Sequence, residues 1–297
     1  MIKVLDRIQA GEVLLSDGAM GTELQKRGLP TGACPEEFNV THAEIVQSIY
    51  RDYYRAGSDI IETNTFGGTR SRLAIHGKEN EVYRFNRRGA ELAREVCPPG
   101  RFVAGSMGPT GEILEPLGTL SVAKAYDYFA EQAEALAEGG VDIIYVETMM
   151  AIEEAEIAVK AVKEKTGLPV VGSMTFNLTD GGVRTSMGVD AATMVGRLTA
   201  VGADLLGANC GTGVEVVLAA IEEMQPLSPL PFLAQPNAGI PQMTDHLIVY
   251  PETPQSFEQK IEQVLQFRIG ILGGCCGTGP EHIIRLRTLL NKHHPVG

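Results

Sequence analysis

The segment DIIYVETMMAIEEAEIAVKAVKEKTGLPVVGSMTF, residues 142–176, holds the pattern that decides the fold. It begins with an apolar run, residues 142–148, that ends in the polar pair Glu147 and Thr148. A helix-like stretch follows and closes at Gly167, a residue typical of helix C-termini because it adopts the left-handed backbone conformation without strain. A second apolar run, residues 169–176, then begins. The segment therefore predicts a strand, an amphipathic helix and a further strand.

This strand and helix unit recurs eight times along the 297-residue chain. The predicted strands are residues 13–20, 59–66, 102–109, 142–148, 169–176, 204–211, 231–239 and 269–277. Apolar runs alternating with amphipathic helices indicate parallel strands covered by helices, and eight such units match a (β/α)8 TIM-type barrel in count and length. No Ser-rich or Pro-rich linker separates the units, so we expect one α/β barrel domain over residues 1–297. A doubly wound open sheet is the alternative.

The composition is that of a soluble globular protein, with 44% hydrophobic and 21% charged residues. A net charge of −12 repels phosphate backbones and anionic membrane surfaces, so neither nucleic acid nor a membrane is an expected partner. No apolar stretch approaches the roughly 18 residues that span a bilayer. The N-terminal residues 1–7 lack the hydrophobic block of a secretory signal, which favours a cytoplasmic location.

Three of the five cysteines fall at the ends of predicted strands. Cys210 ends the sixth strand, and Cys275 and Cys276 end the eighth, so in a barrel all three lie on the C-terminal rim, where active sites are built. An odd number of cysteines and an adjacent pair argue against a disulfide framework. The paired spacing of a structural zinc site is absent from the sequence, and three thiolates with an open fourth position is the layout of a catalytic zinc. These three cysteines are therefore the predicted metal ligands.

Seven rim segments resemble those of a known family. They are residues 17–22 (DGAMGT), 62–66 (ETNTF), 108–111 (GPTG), 147–148 (ET), 209–210 (NC), 235–239 (QPNAG) and 273–278 (GGCCGT). The chain resembles the homocysteine S-methyltransferase family over essentially its whole length, and most of all the homocysteine-binding module of cobalamin-dependent methionine synthase. The resemblance implies a (β/α)8 barrel in which zinc bound by Cys210, Cys275 and Cys276 activates the thiol of homocysteine. It also implies that Asn237 stands near the metal, as a supporting residue or an exchangeable fourth ligand.

The amino-acid end of homocysteine needs partners for its carboxylate and its ammonium group. The backbone N–H groups of Gly18, Ala19 and Met20, at the turn after the first strand, are candidates for the carboxylate. Asp17 and Glu147 are candidates for the ammonium, because a carboxylate makes a charge-assisted hydrogen bond with it. The resemblance implies that both carboxylates contact homocysteine.

We therefore expect a zinc-dependent methyltransferase that converts homocysteine to methionine. The methyl donor has two candidate classes: a corrinoid such as methylcobalamin, or a folate-linked donor, supplied in trans by a partner protein or module; or a small onium compound such as S-methylmethionine, S-adenosylmethionine or betaine. Onium pockets use aromatic faces, and a chain with no Trp and 6% aromatic residues favours the corrinoid. An alternative of another class is a barrel that binds zinc or thiols without catalysis.

Overall fold

Eight parallel strands form a barrel at the centre of the computed structural model, which describes residues 3–244 and 247–293. The strands of the described chain are β1 (Leu14–Leu15), β2 (Ile60–Glu62), β3 (Phe102–Met107), β4 (Ile143–Met149), β5 (Val170–Met174), β6 (Asn177–Thr179), β7 (Gly182–Arg184), β8 (Leu205–Cys210), β9 (Phe232–Pro236), β10 (Gln242–Thr244), β11 (Leu247–Val249) and β12 (Ile269–Leu272). The barrel strands are hydrogen-bonded in the order β1-β12-β9-β8-β5-β4-β3-β2, and each pair is parallel. The remaining four strands form two short antiparallel hairpins, β6-β7 and β10-β11.

The two ends of this sheet meet through Asp59. Its backbone N–H donates to the Leu15 carbonyl oxygen at 2.6 Å, and its Oδ2 accepts the Leu15 N–H at 2.9 Å. These bonds join β1 to the residue that precedes β2. The sheet is thus a nearly closed (β/α)8 barrel, which confirms the predicted fold class and excludes the doubly wound alternative.

Helices surround the barrel and connect its strands. Those in the described residues are α1 (Val4–Gln9), α2 (Met20–Lys26), α3 (Phe38–Thr41), α4 (Ala43–Ala56), α5 (Arg70–Ala74), α6 (Val82–Val96), α7 (Val122–Glu138), α8 (Ile152–Thr166), α9 (Ala191–Ala200), α10 (Val214–Met224), α11 (Pro254–Ile261) and α12 (Pro280–His293), with 3-10 turns at Pro35–Glu37, Gln225–Leu227 and Glu262–Gln266. Local signals set several boundaries. Asp190 caps α9 by accepting the Thr193 N–H, and α8 ends at Gly167 with φ 66°. Among the described helices, none is long and apolar enough to cross a bilayer.

The core has two layers. Side chains from every barrel strand fill the interior, and α1 closes its N-terminal end with Val4 and Ile8. A larger layer lies between the strands and the outer helices. Because α1 blocks one end, only the C-terminal end of the barrel remains open for chemistry.

A buried ionic cluster lies at the N-terminal end, beside the strand junction. Asp59 is 2% exposed and forms ion pairs with Arg101 and Arg287, and Arg7 approaches its Oδ1 at 3.6 Å. The charge of this carboxylate is thereby compensated, as burial requires. The same residue thus neutralises the cluster and joins β1 to β2.

The strands end before the predicted runs do, except β4, which ends at Met149, one residue beyond its predicted run. The last predicted run covers residues 269–277, whereas the ladder of β12 ends at Leu272. Beyond it the chain turns, with the Gly274 N–H donating to the Asp17 carbonyl oxygen and the Cys275 N–H to the Pro236 carbonyl oxygen. The polar ends of the predicted strands therefore form rim loops, which is where they can present side chains to a ligand.

Candidate functional site

The three predicted ligand cysteines converge at the open end of the barrel. Cys210 is the last residue of β8, and Cys275 and Cys276 follow β12. Their Sγ atoms all lie within 4.8 Å of one another. Cys210 has φ 64°, a left-handed conformation that is uncommon for a residue with a Cβ and that often marks a functional constraint. The fold thus brings together side chains that are 65 and 66 positions apart in the sequence.

The protonation of the three thiols depends on their mutual contacts. Hydrogen bonds from the Cys210 and Cys275 thiols lower the pKa of Cys276 to about 3. The pKa of Cys275 is raised well above its usual value by its hydrogen bonds to Cys210 and Cys276 and by burial. Without a cation the group therefore holds one thiolate readily and keeps its other protons. A divalent cation offsets most of the charge of three thiolates, and thiolates are ligands that zinc prefers, so this donor set fits a zinc ion.

Tyr250 lies beside these thiols, although sequence reasoning did not single it out. A hydrogen bond from Tyr250 helps to lower the pKa of Cys276, after the larger effect of the other two thiols. Its ring packs where Gly277, with φ 83°, leaves space: a Cβ at that glycine would lie 2.2 Å from the Tyr250 Cγ. Tyr250 follows the β10-β11 hairpin, and no strand-end pattern marks it. Only the tertiary structure reveals this contact.

A cavity of about 450 Å³ opens above the cysteines at the C-terminal end of the barrel. Its lining includes the three cysteines, Glu62 and Glu147, together with loop residues that follow β1, β2 and β12. Phe66 contributes an aromatic ring to the wall and is 38% exposed. Phe176, the other rim aromatic that the sequence offers, is 2% exposed and is not among the described residues that line the cavity.

Glu147 is held in a defined position next to the cysteines. Its Oε1 accepts the Ser106 hydroxyl at 2.5 Å, and its Oε2 accepts the Asn209 side-chain amide at 3.3 Å. The side chain is buried, and burial raises its pKa. A buried carboxyl with a raised pKa is stabilised as a carboxylate when a cationic group approaches it.

Glu62 is a second carboxylate in the cavity wall, and the sequence analysis did not select it. Its Oε1 accepts the Gln235 side-chain amide at 2.6 Å. Burial raises the pKa of Glu62 well above its usual value, and the nearby charges of Glu147 and Asp17 add to this effect. Its place at the end of β2 was a usable signal, because active-site residues of barrels lie at strand ends.

Asp17 lies behind the wall of the cavity. It is 1% exposed, its Oδ2 accepts the Glu62 N–H at 2.9 Å, and its Oδ1 accepts the Ser16 hydroxyl at 3.3 Å. Burial raises its pKa to about 8. Asp17 therefore holds the backbone of Glu62 in place through this hydrogen bond, and it is not among the described lining residues.

The turn after β1 lies on the cavity wall, as predicted for a carboxylate site. Gly18, Ala19 and Met20 all line the cavity. The Ala19 N–H donates to the Thr278 carbonyl oxygen at 3.1 Å, so this donor is already engaged. Thr278 also packs closely against position 18, which explains why this residue is a glycine: a Cβ there would lie 2.7 Å from the Thr278 Oγ1.

Asn237 lies beside Cys210 rather than on the cavity wall. Its side-chain amide donates to the Gly211 carbonyl oxygen at 2.6 Å, and its backbone N–H to the Cys210 carbonyl oxygen at 3.4 Å. Its Oδ1 is buried and accepts no hydrogen bond from the described part of the chain. This oxygen is therefore available to a ligand near the cysteines.

The chain is similar to known proteins over nearly its whole length. Methionine synthase of Mycobacterium tuberculosis is 31% identical over 291 residues, which are 91% of this chain and 24% of that protein. Methionine synthase of Mycobacterium leprae is 30% identical over 294 residues, 92% of this chain and 24% of that protein. The chain spans about a quarter of the length of these two relatives.

A solved structure shares the fold over its full length. The oxidized form of the homocysteine methyltransferase MmuM from Escherichia coli superposes with a TM-score of 0.80 and 26% identity, over 97% of this chain and 99% of that chain. The family model for homocysteine S-methyltransferase matches residues 14–290. With this match over nearly the whole barrel, the chain belongs to the homocysteine S-methyltransferase family.

Proposed function

We propose that this protein transfers a methyl group to the thiol of homocysteine and so forms methionine. The observation that carries the proposal is the shared cavity: three converging cysteines and two buried glutamates line one space of about 450 Å³. A thiol and an ammonium are the two groups that such a wall suits, and homocysteine presents both. Family membership supports the same acceptor.

Cys210, Cys275 and Cys276 would hold a zinc ion, with Asn237 Oδ1 as a candidate fourth ligand when substrate is absent. Bound there, the ion would supply the positive potential that keeps the homocysteine thiol ionised at neutral pH. The end of β8 and the turn after β12 hold the three sulfurs together, and Tyr250 helps to keep Cys276 ionised. The chain's own contribution is therefore a preformed set of soft ligands.

Glu147 is the proposed partner of the substrate ammonium. Ser106 and Asn209 hold its carboxyl in place, and an arriving ammonium favours its ionised form. Glu62, at the end of β2, is a second buried carboxyl on the cavity wall, and an arriving ammonium would favour its ionised form in the same way.

The substrate carboxylate has its proposed site at the turn after β1. The Ala19 N–H is engaged with Thr278, so we assign the carboxylate to the N–H groups of Gly18 and Met20. Both ends of the amino acid are then held while its sulfur faces the cysteines.

The reaction is a displacement at the donor methyl carbon. The homocysteine thiol loses its proton, its sulfur forms a bond to the methyl carbon, and the bond from that carbon to the donor breaks with its electron pair left on the donor. The proposed donor is a corrinoid such as methylcobalamin, or a folate-linked donor, supplied in trans. A small onium donor is the second candidate, favoured by Phe66 on the cavity wall and by Tyr250 beside the cysteines.

The test is methionine formation by the zinc-loaded protein from homocysteine with methylcobalamin, S-methylmethionine or betaine in separate assays. Fast turnover with methylcobalamin supports the corrinoid donor, and turnover with S-methylmethionine alone supports the onium donor. X-ray absorption of the zinc form should show a nitrogen or oxygen neighbour replaced by a fourth sulfur when homocysteine is added. No turnover and no added sulfur would favour a barrel that binds zinc without catalysis.

A further inference from the structure

Arg72 is a half-buried cation in the cavity wall. It belongs to α5, the short helix after β2, and its side chain lines the cavity. The guanidinium lies against the loop after β3, since a Cβ at Gly111 would be 3.2 Å from the Arg72 Nη1. Within the described chain this guanidinium makes no hydrogen bond or ion pair. Arg70 of the same helix, by contrast, pairs with Glu131 at 2.5 Å.

The other residues that line the cavity indicate which kind of ligand Arg72 can bind. Arg72 and His76 are the basic residues among the described lining residues, and the remaining ionisable groups of the cavity are carboxyls and thiols. An arginine removed from water gains from an anion with two oxygens that can accept two parallel hydrogen bonds, either a carboxylate or a phosphate. His76 is exposed and adds a ring nitrogen to the same wall.

The position of this pair separates it from Cys210 and from the buried floor of the cavity. In the sheet order β8-β5-β4-β3-β2, the strand that precedes Arg72 is four strands from the one that carries Cys210, and through the β1-β2 junction it is two strands from β12, the strand before Cys275 and Cys276. The strand-end carboxyls are buried, whereas His76 and its neighbour Ile75, 68% exposed, face solvent. The cavity is also large enough for a ligand of drug size, so an amino acid at its floor leaves room above.

We propose that Arg72, assisted by His76, binds the anionic group of the methyl donor at the cavity mouth, across the barrel from Cys210. The group is a carboxylate or a phosphate, and both chemistries suit the same guanidinium. This inference rests on the proposed function, because it assigns the second substrate of that reaction. It makes Arg72 a determinant of donor specificity.

The test compares Arg72→Gln and Arg72→Lys with the unchanged protein, using donors matched in pairs. Methylcobalamin carries a phosphate that methylcobinamide lacks, and S-methylmethionine carries a carboxylate that trimethylsulfonium lacks. Arg72→Gln should raise the KM of an anion-bearing donor roughly ten- to hundred-fold, in line with the loss of a charge-assisted contact. The KM of its anion-free counterpart and the KM of homocysteine should stay within about twofold, and Arg72→Lys should recover part of the loss. The control is Arg55→Gln, which removes one positive charge from an exposed side chain of α4.

The donor pair that shows the effect identifies the source of the anion. Equal effects of Arg72→Gln on both members of each pair would overturn the inference, as would an increase confined to homocysteine. If the unchanged protein transferred no methyl group from any donor, the proposed function would fail by itself. Calorimetric titration with methylcobalamin and with S-methylmethionine then decides the subsite: weaker binding to Arg72→Gln supports it, and equal or undetectable binding to both proteins contradicts it.

Discussion

Replacing Glu147 by Gln should weaken homocysteine binding through the ammonium group alone. The amide has the length of the carboxyl and can still accept the Ser106 hydroxyl, which Glu147 Oε1 accepts at 2.5 Å. The shorter of the two bonds that position the side chain is therefore kept, while the negative charge and the bond that Oε2 accepts from Asn209 at 3.3 Å are lost. Because Glu147 is 7% exposed, water cannot replace the carboxylate as a partner for the ammonium.

The expected size follows from the lost charge-assisted hydrogen bond, which is worth about 1.5–3 kcal/mol. Since about 1.4 kcal/mol is a factor of ten, the KM for homocysteine should rise roughly ten- to hundred-fold. The pH dependence has a definite sign. Burial raises the pKa of Glu147, so on acidification its carboxyl is protonated and the ammonium loses its partner. The KM of the unchanged protein should therefore fall as pH rises through this raised pKa, and that fall should be absent from Glu147→Gln.

The assay is steady-state methyl transfer with two thiols, homocysteine and 4-mercaptobutanoate, which lacks the amino group. Only the KM for homocysteine should rise. Glu154→Gln is the matched control, because Glu154 is also buried and hydrogen-bonded, to Thr110, but is not among the described residues that line the cavity. Equal increases for both thiols in Glu147→Gln would refute the ammonium contact and assign Glu147 a structural role.

Three further outcomes follow from the site and the fold. Cys275→Ala should lower bound zinc, measured by elemental analysis, from about one ion per chain to near zero. Thermal unfolding of this variant should stay cooperative, because a barrel of this size has a core independent of the metal. Stoichiometric zinc in the variant would place the site elsewhere. Asp59→Ala should lower the free energy of unfolding by about 3–5 kcal/mol in urea titrations, because Arg101 and Arg287 lose a buried partner; a loss below about 1 kcal/mol would contradict this role. Burial raises the pKa of Asp17 from 3.8 to about 8. Between these two pH values the folded state holds a proton that the unfolded state has released, so the contribution of Asp17 to the free energy of unfolding falls as pH rises. Asp17→Asn should remove that contribution, and the melting temperature of the metal-free protein should fall less between pH 5 and pH 8 than in the unchanged protein; identical slopes would show that Asp17 does not titrate there.

The eight strand positions and the location of the cysteines followed from local patterns. Each predicted run overlaps an observed barrel strand, because apolar residues that must be buried on both faces of a parallel strand leave a continuous signal in the sequence. Cys210 and Cys275 could be placed on one rim because all parallel strands of a barrel point the same way. The prediction of the family is confirmed. It could be made from the sequence because the rim segments that carry the resemblance are short and contiguous.

The sequence by itself determined the barrel, its family and the residue types available for chemistry, because these depend on neighbours along the chain. Only the tertiary structure decided which of those residues share a cavity. It placed Asp17 behind the wall, engaged the Ala19 N–H with Thr278, and brought Tyr250 against Cys276. Such contacts join segments far apart in sequence and depend on burial and register around a closed sheet, so no local periodicity records them.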